Sequence, residues 1–239
     1  MNVISLMLAF AAVAMAAPSR PVETFATKEG PVKITAIRHA SMMIEAGGQV
    51  MHIDPWSQGN YEGLPQADVV LITDIHGDHM DPKALPAVRK DSTIVVAPQA
   101  VAQTVTGATV LANGEKKQIG KWSIEAIPMY NEKRGPAPGK LYHDKGRGNG
   151  YVISYGGLRI YVSGDTEGVA EMRALKNIDV AFLTMNLPYT MPPEEAAEAA
   201  KAFHPKVVYP YHYRESDLSV FEKALAGTGI DVRIRNWYY

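Results

Sequence analysis

Short apolar segments separated by polar turns run through most of this chain and predict many strands. Apolar and polar side chains alternate over residues 32–38, as in a half-buried strand, and the apolar run over residues 67–73 suits a strand covered on both faces. Glycine pairs at 47–48 and 156–157 predict hairpin turns. The same criteria predict strands over residues 41–46, 49–53, 93–97, 122–127, 150–155, 158–163, 178–184, 207–210 and 230–234.

The helices predicted between these strands are short. Asp81 has the form of an N-cap before the first-turn residue Pro82, and Ser216 has the form of a second N-cap. We predict helices over residues 82–89, 99–105, 168–175, 193–203 and 216–226. Strands followed by helices, twice over, predict an α/β (α+β) domain in which two sheets pack face to face with helices outside.

The beginning of the chain differs in character from the rest. Residues 1–17 carry no charge and end in Ala-Met-Ala-Ala, a small-x-small pattern that suits signal peptidase. The run is short for a membrane span, which needs about 20 apolar residues. Because no Lys or Arg precedes it, a retained anchor or a buried helix is the alternative. We predict a cleaved signal over 1–17, a linker over 18–30, a domain over 31–239, and a periplasmic or secreted mature protein.

Composition narrows the classes of function. The chain has 239 residues, of which 46% are hydrophobic and 21% charged, enough to bury a full core. Its net charge of -1 gives no indication of a nucleic-acid partner or an anionic membrane. The absence of Cys excludes disulfides and thiolate ligands, so any metal ion must be held by nitrogen and oxygen.

A polar segment after the predicted buried strand concentrates four potential metal ligands in six residues: Asp74, His76, Asp78 and His79. Imidazole nitrogen and carboxylate oxygen are good ligands for zinc, iron and manganese. In an extended segment Asp74, His76 and Asp78 point to one side, so we expect them to converge, while His79 serves a second ion. Gly77 is expected to let the backbone turn between the two sets. A polar turn with incidental histidines is the alternative.

This segment resembles the signature of the metallo-β-lactamase superfamily, whose usual form is His-x-His-x-Asp-His. The resemblance extends over most of residues 31–213, through the motifs His-Ala-Ser at 39–41, Ile-Asp-Pro-Trp at 53–56, Ser-Gly-Asp-Thr at 163–166 and Tyr-Pro-Tyr-His-Tyr at 209–213. The most similar branch contains ascorbate-6-phosphate lactonase and many metal-dependent hydrolases. The resemblance implies a four-layer αββα sandwich, in agreement with the predicted order of elements.

The resemblance also implies two metal sites that share one carboxylate. Asp78, His79 and His212 match the ligands of the second site, Asp165 matches the bridging ligand, and His76 matches a first-site ligand. We expect one or two Zn²⁺ ions, with Mn²⁺ or iron as the alternative at the first site.

Two departures from the superfamily pattern fall on the first site. Asp74 stands where the superfamily usually has His, and it offers a harder, negatively charged oxygen. Asn131 stands where the remaining first-site His is usual, and Asn is a weak ligand. We therefore predict a tight second site and a weaker first site, which His143 from the following loop is a candidate to complete.

Other polar residues have both a functional and a structural interpretation. The resemblance implies that Asp54 supports the site by orienting a ligand His or a loop, with a turn-forming Asp before Pro as the alternative. It implies that His39 lines the site, with a packed core His as the alternative. We predict structural roles for His52, which faces away from Asp54, and for His204 at a helix end.

The loop over residues 129–149 is basic, and loops at strand ends often carry function. Its positive charges suit an anionic small-molecule substrate, and a merely solvated loop is the alternative. Four other residues are candidates for substrate contact: Tyr189, Tyr211, Tyr213 and Arg214.

The reaction implied by the resemblance is hydrolysis of an ester, lactone or phosphodiester bond by a metal-activated water. Asp78 or Asp74 would carry the proton to the leaving group, and His39 is a third candidate for a catalytic role. A di-iron redox enzyme of the same fold and a non-catalytic metal-binding protein are the alternatives.

Overall fold

Two seven-stranded sheets, each with its strands in chain order, form the centre of the computed structural model, which describes residues 20–239. The first sheet contains β1 (Val22–Phe25), β2 (Val32–Arg38), β3 (Ser41–Ala46), β4 (Gln49–Ile53), β5 (Ala67–Leu71), β6 (Arg89–Ala97) and β7 (Thr109–Val110). The second contains β8 (Lys116–Ile119), β9 (Trp122–Met129), β10 (Gly148–Tyr155), β11 (Leu158–Val162), β12 (Val180–Thr184), β13 (Val207–Tyr211) and β14 (Asp231–Val232).

Each sheet is antiparallel in its first half and parallel in its second. β1 to β4 and β8 to β11 are antiparallel neighbours, whereas β4 to β7 and β11 to β14 run parallel. The predicted hairpin between β3 and β4 is confirmed, because Gly47 and Gly48 adopt φ values of 57° and 77°, which favour glycine. Parallel strands end at one edge of each sheet, so the loops that follow them meet there.

The apolar cores define four layers. Side chains of both sheets, among them Ile44 and Leu71 from the first and Trp122 and Phe182 from the second, are buried in one cluster between the sheets. Helices α1 (Ala84–Val88) and α2 (Gln99–Ala102) belong to a cluster on the outer face of the first sheet. Helices α3 (Ala170–Arg173), α4 (Pro193–Phe203) and α5 (Leu218–Leu225) cover the second sheet. The predicted αββα sandwich is therefore confirmed.

The predicted linker over residues 18–30 is wrong in part. Val22–Phe25 forms β1, which pairs with β2, and the Arg20 guanidinium donates hydrogen bonds to the carbonyls of Asn60 and Glu62. A four-residue edge strand with no fully buried residue leaves little periodic signal in the sequence. The predicted export signal over residues 1–17 lies outside the described residues.

One of the two predicted N-caps is wrong. Asp81 accepts the N–H of Lys83 at 2.8 Å with its side chain and the N–H of Leu85 at 3.0 Å with its carbonyl, so it caps the turn that leads into α1 as predicted. Asp217, rather than Ser216, caps α5 by accepting from the N–H of Ser219. Within residues 20–239, no helix has the length and apolar character needed to span a membrane.

Candidate metal centre

The predicted ligands meet where loops leave the ends of the central strands. The segment that carries Asp74 to His79 follows β5, Asp165 follows β11, and His212 follows β13. The long loop between β9 and β10 brings His143 to the same place. The fold therefore assembles residues that are separated by more than a hundred positions in the chain.

One group of donor atoms, here called the second-site cluster, consists of Asp78, His79, Asp165 and His212. His79 Nε2 lies 3.3 Å from Asp165 Oδ2, and His212 Nε2 lies 3.4 Å from Asp165 Oδ1 and 3.5 Å from Asp78 Oδ2. Four ligands bound tetrahedrally at ~2.0–2.1 Å from one ion stand about 3.3 Å from one another. The observed spacing therefore suits atoms that share a cation.

Several of these donor atoms have no hydrogen-bond partner in the part of the chain that the structure describes. Among residues 20–239, His79 Nε2, both ring nitrogens of His212 and Asp165 Oδ1 are buried without a hydrogen bond. Buried polar atoms without partners are costly, so several at one point call for a missing partner. Two imidazoles with two carboxylates are a donor set that fits a divalent transition-metal ion.

The electrostatics of this cluster also favour a cation. Burial by itself would raise the pKa values of Asp165 and Asp78, but the neighbouring histidines hold both well below the usual range. Burial likewise opposes a charge on His79, yet Asp165, Asp54 and Asp78 raise its pKa well above the ordinary value. The excess of carboxylate charge is thus available to stabilise a bound ion.

Asp54 lies behind His79 and fixes its ring. Asp54 Oδ2 is 2.8 Å from His79 Nδ1, and both oxygens accept from Thr73, at 2.7 Å from its N–H and 2.6 Å from its hydroxyl. With Nδ1 engaged, Nε2 is the nitrogen that faces Asp165. This contact supports the predicted orienting role of Asp54 rather than direct ligation.

A second group, here called the first-site cluster, contains donor atoms of Asp74, His76 and His143 within 4.8 Å of one another. His143 Nε2 lies 3.4 Å from Asp165 Oδ2, so Asp165 contacts both clusters. Asp74 Oδ2 lies 3.0 Å from His76 Nδ1. Asp165 is therefore placed as a bridging ligand would be.

The expected convergence of Asp74, His76 and Asp78 by strand alternation is wrong. The backbone leaves the extended conformation after β5, and the carbonyl of His76 accepts hydrogen bonds from the N–H groups of His79 and Met80. This turn sends Asp74 and His76 to the first-site cluster and Asp78 to the second. Gly77 has no positive φ, and a Cβ there would meet nothing within 4 Å, so glycine is not required.

His39 contacts the second-site cluster from its buried side. Its Nε2 lies 3.2 Å from Asp78 Oδ2, its ring centroid lies 3.6 Å from that of His212, and its Nδ1 lies 2.5 Å from the Tyr238 hydroxyl. Burial lowers the pKa of His39 to about 4, so the ring is neutral at neutral pH. His39 is thus placed to hold Asp78 and His212 in position.

A cavity of about 280 Å³ opens onto both clusters and is lined by His76, Asp78, Tyr142, His143, Asp165, Asn186, Tyr189 and Arg214. A neighbouring cavity of about 820 Å³ shares Asn186 and Arg214 and reaches Tyr213 and Tyr238. Tyr189 and Arg214 line the cavity beside the clusters, and Tyr213 lines the neighbouring one. Tyr211 lines neither cavity, because its side chain is buried and its hydroxyl accepts from the N–H of Gly164.

Most of the basic loop does not face this cavity. Arg134 pairs with Glu167 and Glu195, Lys145 pairs with Glu171, and Arg147 pairs with Asp74. The charge of the loop is thus largely used within the fold. Sequence reasoning missed Arg147 as a partner of Asp74, because an ion pair across 73 residues leaves no local pattern.

Two other histidines have the predicted structural surroundings. His52 is buried, and its Nε2 lies 2.9 Å from the Pro65 carbonyl. His204 ends α4 in the left-handed conformation and lies 3.0 Å from the carbonyl of Thr228. Neither belongs to the two clusters.

Comparison with known proteins agrees with this geometry. A model of the beta-lactamase superfamily domain matches residues 33–212. The chain belongs to the metallo-β-lactamase superfamily. It is 31% identical over 195 residues to a UPF0173 metal-dependent hydrolase from Thermococcus onnurineus, an alignment that covers 76% of this chain and 84% of the relative.

Two solved structures share this fold at different levels of sequence identity. The crystal structure of a proposed metal-dependent hydrolase from Parabacteroides distasonis is 43% identical, with a TM-score of 0.86, and covers 91% of this chain and 99% of that one. CmlA, a diiron β-hydroxylase from Streptomyces venezuelae, shares the fold alone, at 18% identity and a TM-score of 0.66, over 84% of this chain and 52% of that one. Because the relatives at higher identity are metal-dependent hydrolases, we conclude that this chain is one as well.

Proposed function

We propose that this metal-dependent hydrolase cleaves an ester, lactone or phosphodiester bond in a small anionic substrate. The observation that carries the proposal is that donor atoms of His79, Asp165 and His212, which have no hydrogen-bond partner among residues 20–239, converge beside an open cavity. A divalent cation bound there would polarise the scissile bond and lower the pKa of water to about 7. Zn²⁺ suits these nitrogen and carboxylate donors, and Mn²⁺ or iron is the alternative at the first-site cluster.

Asp78 is the carboxylate of this chain best placed to pass a proton between water and the leaving group. Its carboxylate lines the cavity, with 22% of the side chain exposed, and contacts His39 and His212. Asp74, the alternative, is fully buried and held by Arg147. We therefore assign proton transfer to Asp78 and a binding role to Asp74.

Arg214 is the residue that favours an anionic substrate. It lines both cavities, and the ion pairs within residues 20–239 do not include it. The basic loop contributes less, because Arg134, Lys145 and Arg147 are already paired. An anionic group of the substrate would therefore be bound at the boundary between the cavities.

Turnover of a defined substrate panel tests the proposed function. Metal-loaded wild type should hydrolyse at least one of a set of lactones, nitrophenyl esters and bis(nitrophenyl) phosphate, and a chelator should abolish the activity. His79→Ala should lose at least about 100-fold in kcat/KM, whereas His204→Ala, outside both clusters, should match wild type. Full metal content without turnover on the panel would contradict the proposal. Iron content with substrate-dependent oxygen consumption would favour a di-iron redox enzyme instead.

We also propose that the mature protein is periplasmic or secreted. The support is the uncharged apolar segment over residues 1–17 and its small-x-small end. Mass spectrometry of protein expressed in a bacterium should find a chain cleaved near Ala16 or Ala17. An intact N-terminus in the exported fraction, or retention in the cytoplasm, would contradict the proposal.

A further inference from the structure

Asn131, which stands where the superfamily usually has a first-site His, uses all of its side-chain hydrogen-bonding groups. Its Oδ1 accepts from the backbone N–H of His143 at 2.9 Å and faces His143 Nδ1 at 2.6 Å. Its Nδ2 donates to the Tyr189 carbonyl at 2.8 Å and to Glu167 Oε1 at 3.2 Å. An amide oxygen has two lone pairs, and both are engaged here, so Asn131 has no atom left for an ion.

His143 presents the donor atom that Asn131 does not. Because Asn131 Oδ1 can only accept, Nδ1 carries the proton of the neutral His143 ring, and Nε2 is then the nitrogen with the free lone pair. Nε2 is buried without a hydrogen bond among the described residues and lies 3.4 Å from Asp165 Oδ2. It also lies within 4.8 Å of donor atoms of Asp74 and His76.

We propose that the missing first-site ligand has moved along the chain from position 131 to His143, and that Asn131 and Glu167 are positioning residues for it. The proposal rests on the proposed function to the extent that an ion binds this centre. It gives the first-site cluster three protein donors of its own, with Asp165 shared.

Glu167 fixes the backbone at the start of the long loop that carries His143. Besides Asn131 Nδ2, its carboxylate accepts the backbone N–H groups of Glu132, Lys133 and Arg134, at 3.1, 3.2 and 2.7 Å. Glu167 lies two residues after Asp165, so the segment that supplies the shared carboxylate also fixes the start of the loop. The backbone N–H of Asn131 then donates to the His143 carbonyl at 2.8 Å, which closes the loop onto itself.

Metal content and chelator competition test the proposal without an activity assay. Four proteins are loaded with Zn²⁺, freed of excess metal and analysed for bound ions: wild type, His143→Ala, Asn131→Ala and the control His204→Ala. We expect His143→Ala to hold one ion fewer than wild type and the control to match wild type. We expect Asn131→Ala to bind the first-site ion about 10–100-fold more weakly, with the second ion unchanged.

A measurement on wild type covers the case in which a variant does not fold. Nitrogen-15 NMR of the histidine side chains should show His143 protonated at Nδ1, and Zn²⁺ should shift its Nε2 resonance. An unshifted resonance, or His143→Ala protein with wild-type metal content and chelator resistance, would overturn the relocated ligand alone. Wild type that binds no metal would overturn the proposed function as well.

Discussion

The guanidinium of Arg147 binds both carboxylate oxygens of the buried Asp74, with Nε 3.0 Å from Oδ1 and Nη2 2.8 Å from Oδ2. Asp74 is the residue that replaces a neutral histidine of the superfamily pattern. A carboxylate at this depth needs a compensating charge, because burying an unpaired ion is costly. Arg147 supplies that charge.

Arg147→Met should therefore destabilise the metal-free protein more than the metal-loaded protein. We expect a loss of about 2 kcal/mol in the free energy of unfolding without metal, less than for a fully buried pair because Arg147 is partly exposed. With Zn²⁺ bound beside Asp74, the ion would replace part of the lost charge. Urea unfolding with and without Zn²⁺ measures the difference, and Lys145→Met, which breaks the exposed pair with Glu171, is the control. Equal losses in both forms would mean that Asp74 does not bind the ion.

Asp54→Asn should weaken metal binding although it replaces none of the proposed ligands. Asp54 holds His79 by its Nδ1, and removal of such a carboxylate partner typically costs about 10–100-fold in metal affinity. Chelator competition measures the affinity of the second-site cluster. Asp81→Asn is the matched control, because that carboxylate accepts two backbone N–H groups outside both clusters. Wild-type affinity in Asp54→Asn would show that His79 needs no orienting partner.

His52 should make stability depend on pH in a defined direction. Burial lowers the pKa of His52 below its ordinary value of 6.5, although the Pro65 carbonyl opposes the shift. Below about pH 6.5 the unfolded chain therefore binds a proton more readily than the folded chain, so stability falls as the pH falls. His52→Gln retains a donor for the carbonyl but does not titrate. Urea unfolding at about pH 7.5 and pH 5 should show a smaller drop in the variant, and an identical drop would refute the assignment.

Arg214→Ala should discriminate against anionic substrates once a substrate is identified. We expect KM for an anionic substrate to rise by about tenfold, since a hydrogen bond to a charged group contributes about 1.5 kcal/mol or more. KM for a neutral analogue should change little, and the contrast should shrink in high salt. Steady-state kinetics with Lys140→Ala, an exposed cation of the loop, provides the control. A uniform change for charged and neutral substrates would argue against binding of an anion at Arg214.

Several features of the fold and the site could be predicted because they depend on local pattern. The continuous apolar run that became β5 and the alternating segment that became β2 each identify their strand from neighbouring residues alone. Likewise, Asp78 and His79 stand in a dense run of potential ligands after a strand, whereas Asp165 and His212 were identified through short motifs that resemble those of the superfamily. The structure then brought all four together.

The predictions that were wrong concern features that depend on interactions outside a short stretch of sequence. Strand β1 has a weak pattern and exists through its pairing with β2. The turn that begins at His76 overrides the alternation expected of an extended segment, and so divides Asp74 from Asp78. Local periodicity describes one element, whereas both features are set by contacts and turns outside it.

The sequence by itself determined most of the strands and helices and their order, the donor atoms available to a metal ion and the absence of thiolate ligands. Only the tertiary structure decided which of those atoms meet and which are already occupied. The ion pair of Arg147 with Asp74 and the hydrogen bond of His143 with Asn131 depend on how loops from different strands pack at one edge of the sheets. A hydrogen bond forms only when donor and acceptor lie about 3 Å apart, so these contacts depend on the packed fold rather than on spacing along the chain.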